Sequence, residues 1–414
     1  MKIERIKIFG LFKFLDYDIN LNPEINLIHG INGIGKTTIL NILTNILNGD
    51  LKKFYQLSFK EIEIYLSENA YFKLYRIQEK KASLVFFDFK IGSEFFEKRD
   101  VRKSNSVEAF LRRIKMKPLL LPAQRLSLDE TYYFDDDESL FYRKQFEKRF
   151  RGRDFDVFQP NPKMTNVLNV PTEITEMVRR FSLRISQTFS RFDNLLFERY
   201  FENMFFQKPF NKLTDKEVKN AIVNLEKIKN EKNIYANKYK SIHYRRSKVL
   251  DQIEKNIDSI NNVSFEIVKF IDLYLDNITQ KNAFIKSYIE PFRSFERIIN
   301  ELFKGKSISV KLDAPAKDIF TIVSESNDRI EIKHLSSGEK NLILIFFHYL
   351  FQMEKNILFM IDEPELSLHI DWQEHIVNYL TEFSNNNQIF VVTHSPDIIQ
   401  GYREFVINLD KCRI

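Results

Sequence analysis

A chain of 414 residues with 43% hydrophobic side chains has ample apolar surface for a large core, and its length suggests two or three structural units. Its one cysteine, Cys412, excludes an internal disulfide framework and a cysteine zinc site and points to a reducing, cytoplasmic compartment. The net charge of +6 permits contact with nucleic acid without requiring it, and no apolar run approaches the roughly 18 residues of a membrane span.

Residues 1–30 read as strand, turn, strand, strand. Ile3, Ile6 and Ile8 alternate with polar residues, which also argues against a signal peptide. Segments Leu11–Phe14 and Tyr17–Leu21 follow, then the short buried strand Ile25–Ile28. Phe12 and Phe14 could pack in the core or offer a face to an adenine. The last strand runs into Gly30-Ile-Asn-Gly-Ile-Gly-Lys-Thr-Thr38, which fits the spacing G-x-x-x-x-G-K-[ST], and Thr38–Leu47 then carries apolar residues at helical spacing. Strand, glycine loop and helix together let backbone N–H groups curl around phosphate oxygens, with the positive end of the helix behind them. Gly30, Asn32, Gly33, Gly35, Lys36, Thr37 and Thr38 are therefore the expected phosphate site of a nucleoside triphosphate, which the resemblance given below makes ATP. Lys36 would reach the β- and γ-phosphates and Thr37 would hold Mg²⁺. A glycine turn before a core helix is the plain alternative, and both flanks speak against it.

Residues 51–98 read as a β-rich meander with strands at Glu61–Leu66, Tyr71–Arg76 and Ser83–Asp88. Lys117–Pro122 is a buried strand with Gln124 and Arg125 at its C-terminal end, the side on which open α/β sheets bind ligands. A surface-loop glutamine would look the same. Asp129–Glu138 is acidic and Phe141–Arg153 basic. Each is most simply solvated, and the basic run is where a nucleic-acid or partner contact would be sought. After Pro160, Pro162 and Pro171, Glu173–Phe210 reads as helix. Val218, Ile222, Leu225 and Ile228, then Leu250, Ile253, Ile257 and Ile260, predict short antiparallel helices that are partly coiled-coil-like. Ser307–Leu312, Ile319–Val323 and Ile330–Ile332 return to strand.

Three features follow in the remaining chain. Leu335-Ser-Ser-Gly-Glu-Lys340 precedes the apolar helix Leu342–Phe351, and a small turn at a helix N-terminus is an anion site. A buried strand ends in Asp362 and Glu363, followed at once by Pro364. One such carboxylate can hold Mg²⁺ and the next can orient and deprotonate an attacking water. The strand Gln388–Thr393 ends in His394; a histidine there can hydrogen-bond a γ-phosphate, whereas a lone histidine is usually structural.

As an ordered set these motifs resemble the ATP-binding-cassette ATPases. The resemblance implies an α/β fold: a P-loop NTPase head built from 1–125 and 305–414, with a mostly helical, short coiled-coil-like insertion at 126–304. It makes Gly30–Thr38 the Walker A loop and Gln124 the Q-loop residue, a further Mg²⁺ contact. Asp362 becomes the Mg²⁺ aspartate, Glu363 the base, Glu365–His369 the D-loop region and His394 the switch histidine. Lys36, Gln124, Glu363 and His394 form the implied catalytic set. Ser336, Ser337, Gly338 and Glu339 would form the signature, capping in trans the ATP of a second copy in a homodimer or higher homo-oligomer.

About 210 residues separate Gln124 from the signature, beyond a usual loop length. The run E-P-E-L-S-L-H followed by Trp372 and Gln373, with T-H-S-P at the last strand, is similar to the OLD, RecF and SMC-related group rather than to transporter ATPases. Only 20 residues follow His394, so a Toprim nuclease domain is not expected after it, and no H-N-H cluster is visible. That pattern resembles the ATPase subunits of anti-phage systems such as Septu and PARIS, with Leu121–Leu126 (L-P-A-Q-R-L) most like Septu. It implies a slow cytoplasmic ATPase, away from membranes, that acts as sensor and scaffold for a separate HNH or Toprim nuclease, with DNA as a further contact left open. The alternative is a RecF- or SMC-like repair ATPase that clamps DNA directly.

Overall fold

The computed structural model describes residues 1–79, 82–101, 107–123, 167–206, 220, 223–224, 227, 265–312, 314–351, 356–384 and 387–414. The described residues form two compact units. Those up to 123, with Val167 and 334–414, make the first, and those between Leu168 and Lys333 make the second.

In the first unit, alternating residues give an antiparallel sheet. Its strands are β1 (Ile3–Leu11), β2 (Leu15–Asn20), β4 (Glu61–Leu66), β5 (Ala70–Glu79), β6 (Ala82–Ile91) and β7 (Glu94–Asp100), in the order β2-β1-β4-β5-β6-β7. The turn expected at Leu11–Phe14 is the hairpin link of residues 12–14, which follows Leu11 at the end of β1. Phe12 and Lys13 sit at φ 54° and 78°, paired positive values inside a three-residue link, and Phe14 N–H donates to Leu11 C=O at 3.2 Å. Phe14 is accordingly 74% exposed rather than part of the core.

The continuous apolar runs give a second, parallel sheet of β3 (Ile25–His29), β8 (Lys117–Leu121), β11 (Ile357–Asp362), β12 (Gln388–Val392) and β13 (Val406–Asn408). Their order is β13-β3-β12-β11-β8, and every pairing is parallel. Helix α1 (Lys36–Asn48) joins one core with both sheets: Ile39, Leu43 and Ile46 share it with Ile6, Ile62 and Phe87 on one side and Met360 and Phe390 on the other. Gln388 ties the sheets further. Its buried amide donates to Ile3 C=O and Asn22 C=O, and its Oε1 accepts from Ile3 N–H, all at 2.8 Å. A short helix, α2 (Val107–Ile114), packs Val107, Phe110 and Ile114 into the same core. Helix α5 (Ser337–Phe351) is buried on nearly every side, as its run Leu342–Phe347 requires. Helices α6 (Ile370–Glu382) and α7 (Pro396–Gln400) complete the unit.

The second unit is led by two helices, α3 (Val170–Phe206) and α4 (Phe265–Leu302). Phe181 stacks on Tyr288, Asp193 pairs with Lys281, and Tyr200 meets Phe270. Partners descend in α4 as they ascend in α3, so the helices are antiparallel. Helix α3, at 37 residues, matches the helix expected at Glu173–Phe210, whereas α4, at 38 residues, is longer than the short helices expected there, because aromatic and aliphatic pairs such as Ile185 and Ile285 continue the seam beyond any clean heptad. The first helical spacing (Val218–Ile228) lies almost wholly, and the second (Leu250–Ile260) wholly, outside the described residues, as do both charged runs and Gln124. Strands β9 (Lys306–Val310) and β10 (Phe320–Ser324) form a hairpin anchored where Asn300 bonds both N–H and C=O of Ile308. This hairpin groups with the helices, whereas the sequence reading attached 305–334 to the head. Ile332–His334 is a 3-10 turn, not the end of a third strand. Among the described residues no helix is long and apolar enough to cross a membrane.

His348 lies within α5, and burial lowers its imidazole pKa from 6.5 to about 4. Between those values the unfolded chain takes up a proton that the folded chain refuses, so stability falls as pH drops through this window. Wild type should lose about 2 kcal/mol more than His348→Leu between about pH 7.5 and about pH 5. Denaturant midpoints of both proteins at the two pH values check it, and parallel curves would contradict it.

Candidate active site

Three neighbouring strands of the parallel sheet, β3, β12 and β11, end side by side. The first ends in the glycine loop. Gly33 and Gly35 hold φ 81° and 89°, and a Cβ on Gly35 would meet Leu11 Cδ2 at 3.2 Å. The loop curls back so that Lys36 Nζ donates to Gly30 C=O and Ile31 C=O, both at 2.9 Å. Burial pushes the Lys36 ammonium pKa down, and the carboxylates of Glu363, Asp362, Asp410 and Glu365 oppose that shift. Two of its three protons are engaged, leaving a third for a ligand oxygen.

The β11 strand ends in Asp362, which is buried and accepts a hydrogen bond from Thr37 Oγ1 at 2.8 Å. These two oxygen donors come from points 325 residues apart in sequence. Such a pair fits Mg²⁺, which is usually held by one or two protein oxygens plus phosphates and water. Glu363, next along, adopts φ 46° with its N–H donating to Val392 C=O at 2.8 Å. A non-glycine residue held in this region stores strain, and such positions cluster at active sites.

Between them β12 delivers His394. Its Nε2 is buried without a hydrogen-bond partner among the described residues, and its ring lies edge-to-face with His29 at 6.2 Å. Sequence reasoning gave Glu365 only a loop label. The structure makes it the group that holds this strand end: its carboxylate accepts from Thr393 Oγ1 at 2.9 Å and His394 N–H at 2.6 Å. Ser395 then donates to Gln373 Oε1 at 2.6 Å and caps α7. The E-P-E spacing was the only clue.

The turn Ser336–Glu339 opens α5 through a reciprocal cap. Glu339 Oε2 accepts from Ser336 N–H at 2.8 Å, and Ser336 Oγ accepts from Glu339 N–H at 3.3 Å. Ser336 and Ser337 are exposed, while Gly338 and Glu339 are buried. A Cβ on Gly338 would meet Ser367 C=O at 2.4 Å and Trp372 Cζ3 at 2.9 Å, so only glycine fits. Asn341 reinforces the seam by donating to Leu366 C=O at 2.9 Å. Gln124 lies outside the described residues. The structure therefore gathers Gly30–Thr38, Asp362, Glu363 and His394 at adjacent strand ends, and places Ser336–Glu339 beside the loop that follows them.

The family model described as an AAA ATPase domain matches residues 1–399, and the chain belongs to that family. The chain is 28% identical over 167 residues to Septu protein PtuA of Bacillus thuringiensis, which covers 35% of this chain and 39% of that protein. It is similar at 16% identity and a TM-score of 0.43 to an Smc head domain with extended coiled coil from Pyrococcus furiosus, solved with the C-terminal domain of ScpA, over 98% of this chain and 93% of that one. An Smc head with coiled coil and joint from Pyrococcus yayanosii gives 15% and 0.38, over 98% and 94%.

Glu365→Ala should lower kcat at saturating ATP about tenfold while changing ATP affinity little, because it frees the strand end carrying His394 and leaves the glycine loop intact. Glu365→Gln, which keeps one acceptor oxygen, should fall less. Steady-state ATPase kinetics of both variants check this, and equal losses would refute the acceptor role.

Proposed function

We propose that this member of the AAA ATPase domain family binds ATP with Mg²⁺ at Gly30–Thr38 and hydrolyses it slowly, and that ATP closes two copies head to tail. The observation that carries the reading is the Thr37–Asp362 hydrogen bond, which brings the glycine loop and the strand-end carboxylate to one point. Lys36, held on the Gly30 and Ile31 carbonyls, offers its remaining proton to a phosphate oxygen. Thr37 and Asp362 would hold Mg²⁺, with Gln124 as a further contact, and the ion would screen the phosphate charge. Glu363 accepts the proton of the attacking water, and His394 Nε2 hydrogen-bonds the γ-phosphate. Ser336, Ser337, Gly338 and Glu339 of the second copy close the site, adding the positive end of α5 opposite the developing charge.

We further propose that the closed pair is the sensor and scaffold subunit of a cytoplasmic anti-phage complex that governs a separate nuclease of HNH or Toprim type. The likeness to Septu protein PtuA and the L-P-A-Q-R-L segment support this reading. Direct clamping of DNA gains no support from the comparisons.

Glu363→Gln should retain ATP and accumulate as a dimer in size-exclusion chromatography with MgATP, and adding Ser337→Arg should return it to monomer with ATP still bound. A double variant that stays dimeric would remove the signature from the interface. Copurification with the product of the neighbouring gene should bring down a nuclease. Tight ATP-dependent binding of this protein alone to DNA ends would favour the clamp instead.

A further inference from the structure

Strand β13 runs parallel to β3 with Asn408 opposite His29. Two residues beyond the end of each strand, Asp410 stands beside Ile31, and Asp410 Oδ2 accepts the Ile31 N–H at 3.2 Å. That N–H belongs to the same peptide group as the Gly30 carbonyl, which receives Lys36 Nζ at 2.9 Å. One planar unit is thus held on one edge by Asp410 and holds the ammonium on the other. The absence of a side chain at Gly30 permits this, since a Cβ there would meet Ile34 Cδ1 at 2.3 Å and Asp410 Oδ2 at 3.4 Å. Asp410 is itself pre-set. Its N–H donates to Asn408 Oδ1 at 2.9 Å, and Arg413 lies 3.8 Å from its carboxylate. The far side of the loop is fixed as well: buried Tyr17 donates its hydroxyl to Ile34 C=O at 2.7 Å, and its backbone forms an antiparallel bridge with Arg413.

We propose that Asp410 is a positioning residue for Lys36, orienting the Gly30–Ile31 peptide so that the ammonium stays docked with one proton free for phosphate, while Tyr17 pins the opposite end of the loop. The proposal rests on the nucleotide-site reading above. If the peptide were free to turn, the Gly30 carbonyl would leave Lys36 and the loop would have to be reordered on each binding event. The cost would fall on affinity and leave chemistry at saturation intact.

MgATP titration by calorimetry, with steady-state ATPase kinetics, separates the outcomes. Asp410→Ala should raise Kd and KM about three- to tenfold with kcat within about twofold of wild type, the size expected for one hydrogen bond. Asp410→Asn keeps an acceptor oxygen and should bind nearly as wild type does. Tyr17→Phe should shift Kd in the same direction, and it stands in should Asp410→Ala fail to fold. Lys36→Ala serves as the control with binding abolished. If wild type binds and Lys36→Ala does not, but Asp410→Ala matches wild type, the positioning role is overturned and the nucleotide site stands. Equal losses in Asp410→Ala and Asp410→Asn also overturn it, because they point to charge rather than hydrogen-bond acceptance. A wild type that binds no MgATP overturns both readings.

Discussion

The first unit is organised by one hydrogen bond, from Thr37 Oγ1 to Asp362 Oδ2. The strands that lead to these residues are not neighbours, because β12 lies between β3 and β11. Two strand spacings separate the strand ends, about 10 Å, and the first turn of α1 on one side and a carboxylate on the other span the gap. The intervening strand decides the third group: whatever follows β12 must emerge between the glycine loop and Asp362, and that residue pair is Thr393 and His394. Strand order alone therefore sets loop, histidine and carboxylate in a row. All-parallel pairing keeps the row on one edge of the sheet.

Strand order does not hold the row still. Loop residues after β11 do that by bonding in two directions. Glu365 reaches across to Thr393 and His394 and fixes the strand end that the chemistry shares. Two residues on, Ser367 lies so close to Gly338 that any side chain there would clash, and Asn341 bonds the same loop. The loop between Asp362 and α6 thus touches both the row of strand ends and the turn proposed to face a second copy. A displacement at either side has to pass through well-packed groups with little room to adjust, the condition under which small shifts are transmitted.

Much of this was legible in the sequence because the motifs carry their own geometry. Gly30–Thr38 needs its glycines at fixed offsets, and Asp362–Glu363 must follow a buried strand, so spacing and flanking apolar runs were enough. The meander from Glu61 to Asp88 showed its alternation directly. What escaped depends on neighbours distant in sequence. Nothing at Asp410 or Tyr17 announces that they border the glycine loop, since only the registers of β13 beside β3 and β2 beside β1 bring them there. Leu11–Phe14 reads as the turn between two strands, but the positive φ of Phe12 and Lys13 has no sequence mark, because such positions usually carry glycine or asparagine. The length of α4 was hidden because aromatic pairs fill the seam at positions a heptad template does not count.

The charge balance at the site says what kind of partner it needs. Lys36 is one ammonium within electrostatic reach of four carboxylates, Glu363, Asp362, Asp410 and Glu365. A nucleotide triphosphate adds several more negative charges to the same place, and one lysine with the N-terminus of α1, worth about half a charge, cannot offset them. Mg²⁺ between Thr37 and Asp362 would supply part of the deficit. The remainder calls for another positive end brought to the far side of the phosphates. The start of α5 has that character, with Ser336 and Ser337 exposed and Gly338 and Glu339 locked behind them. An open site of this composition is better suited to brief occupancy than to tight storage of nucleotide. In the proposed pair, closure by a second copy would convert the electrostatic deficit into a requirement for assembly, so that the glycine loop's occupancy reports whether two copies have met.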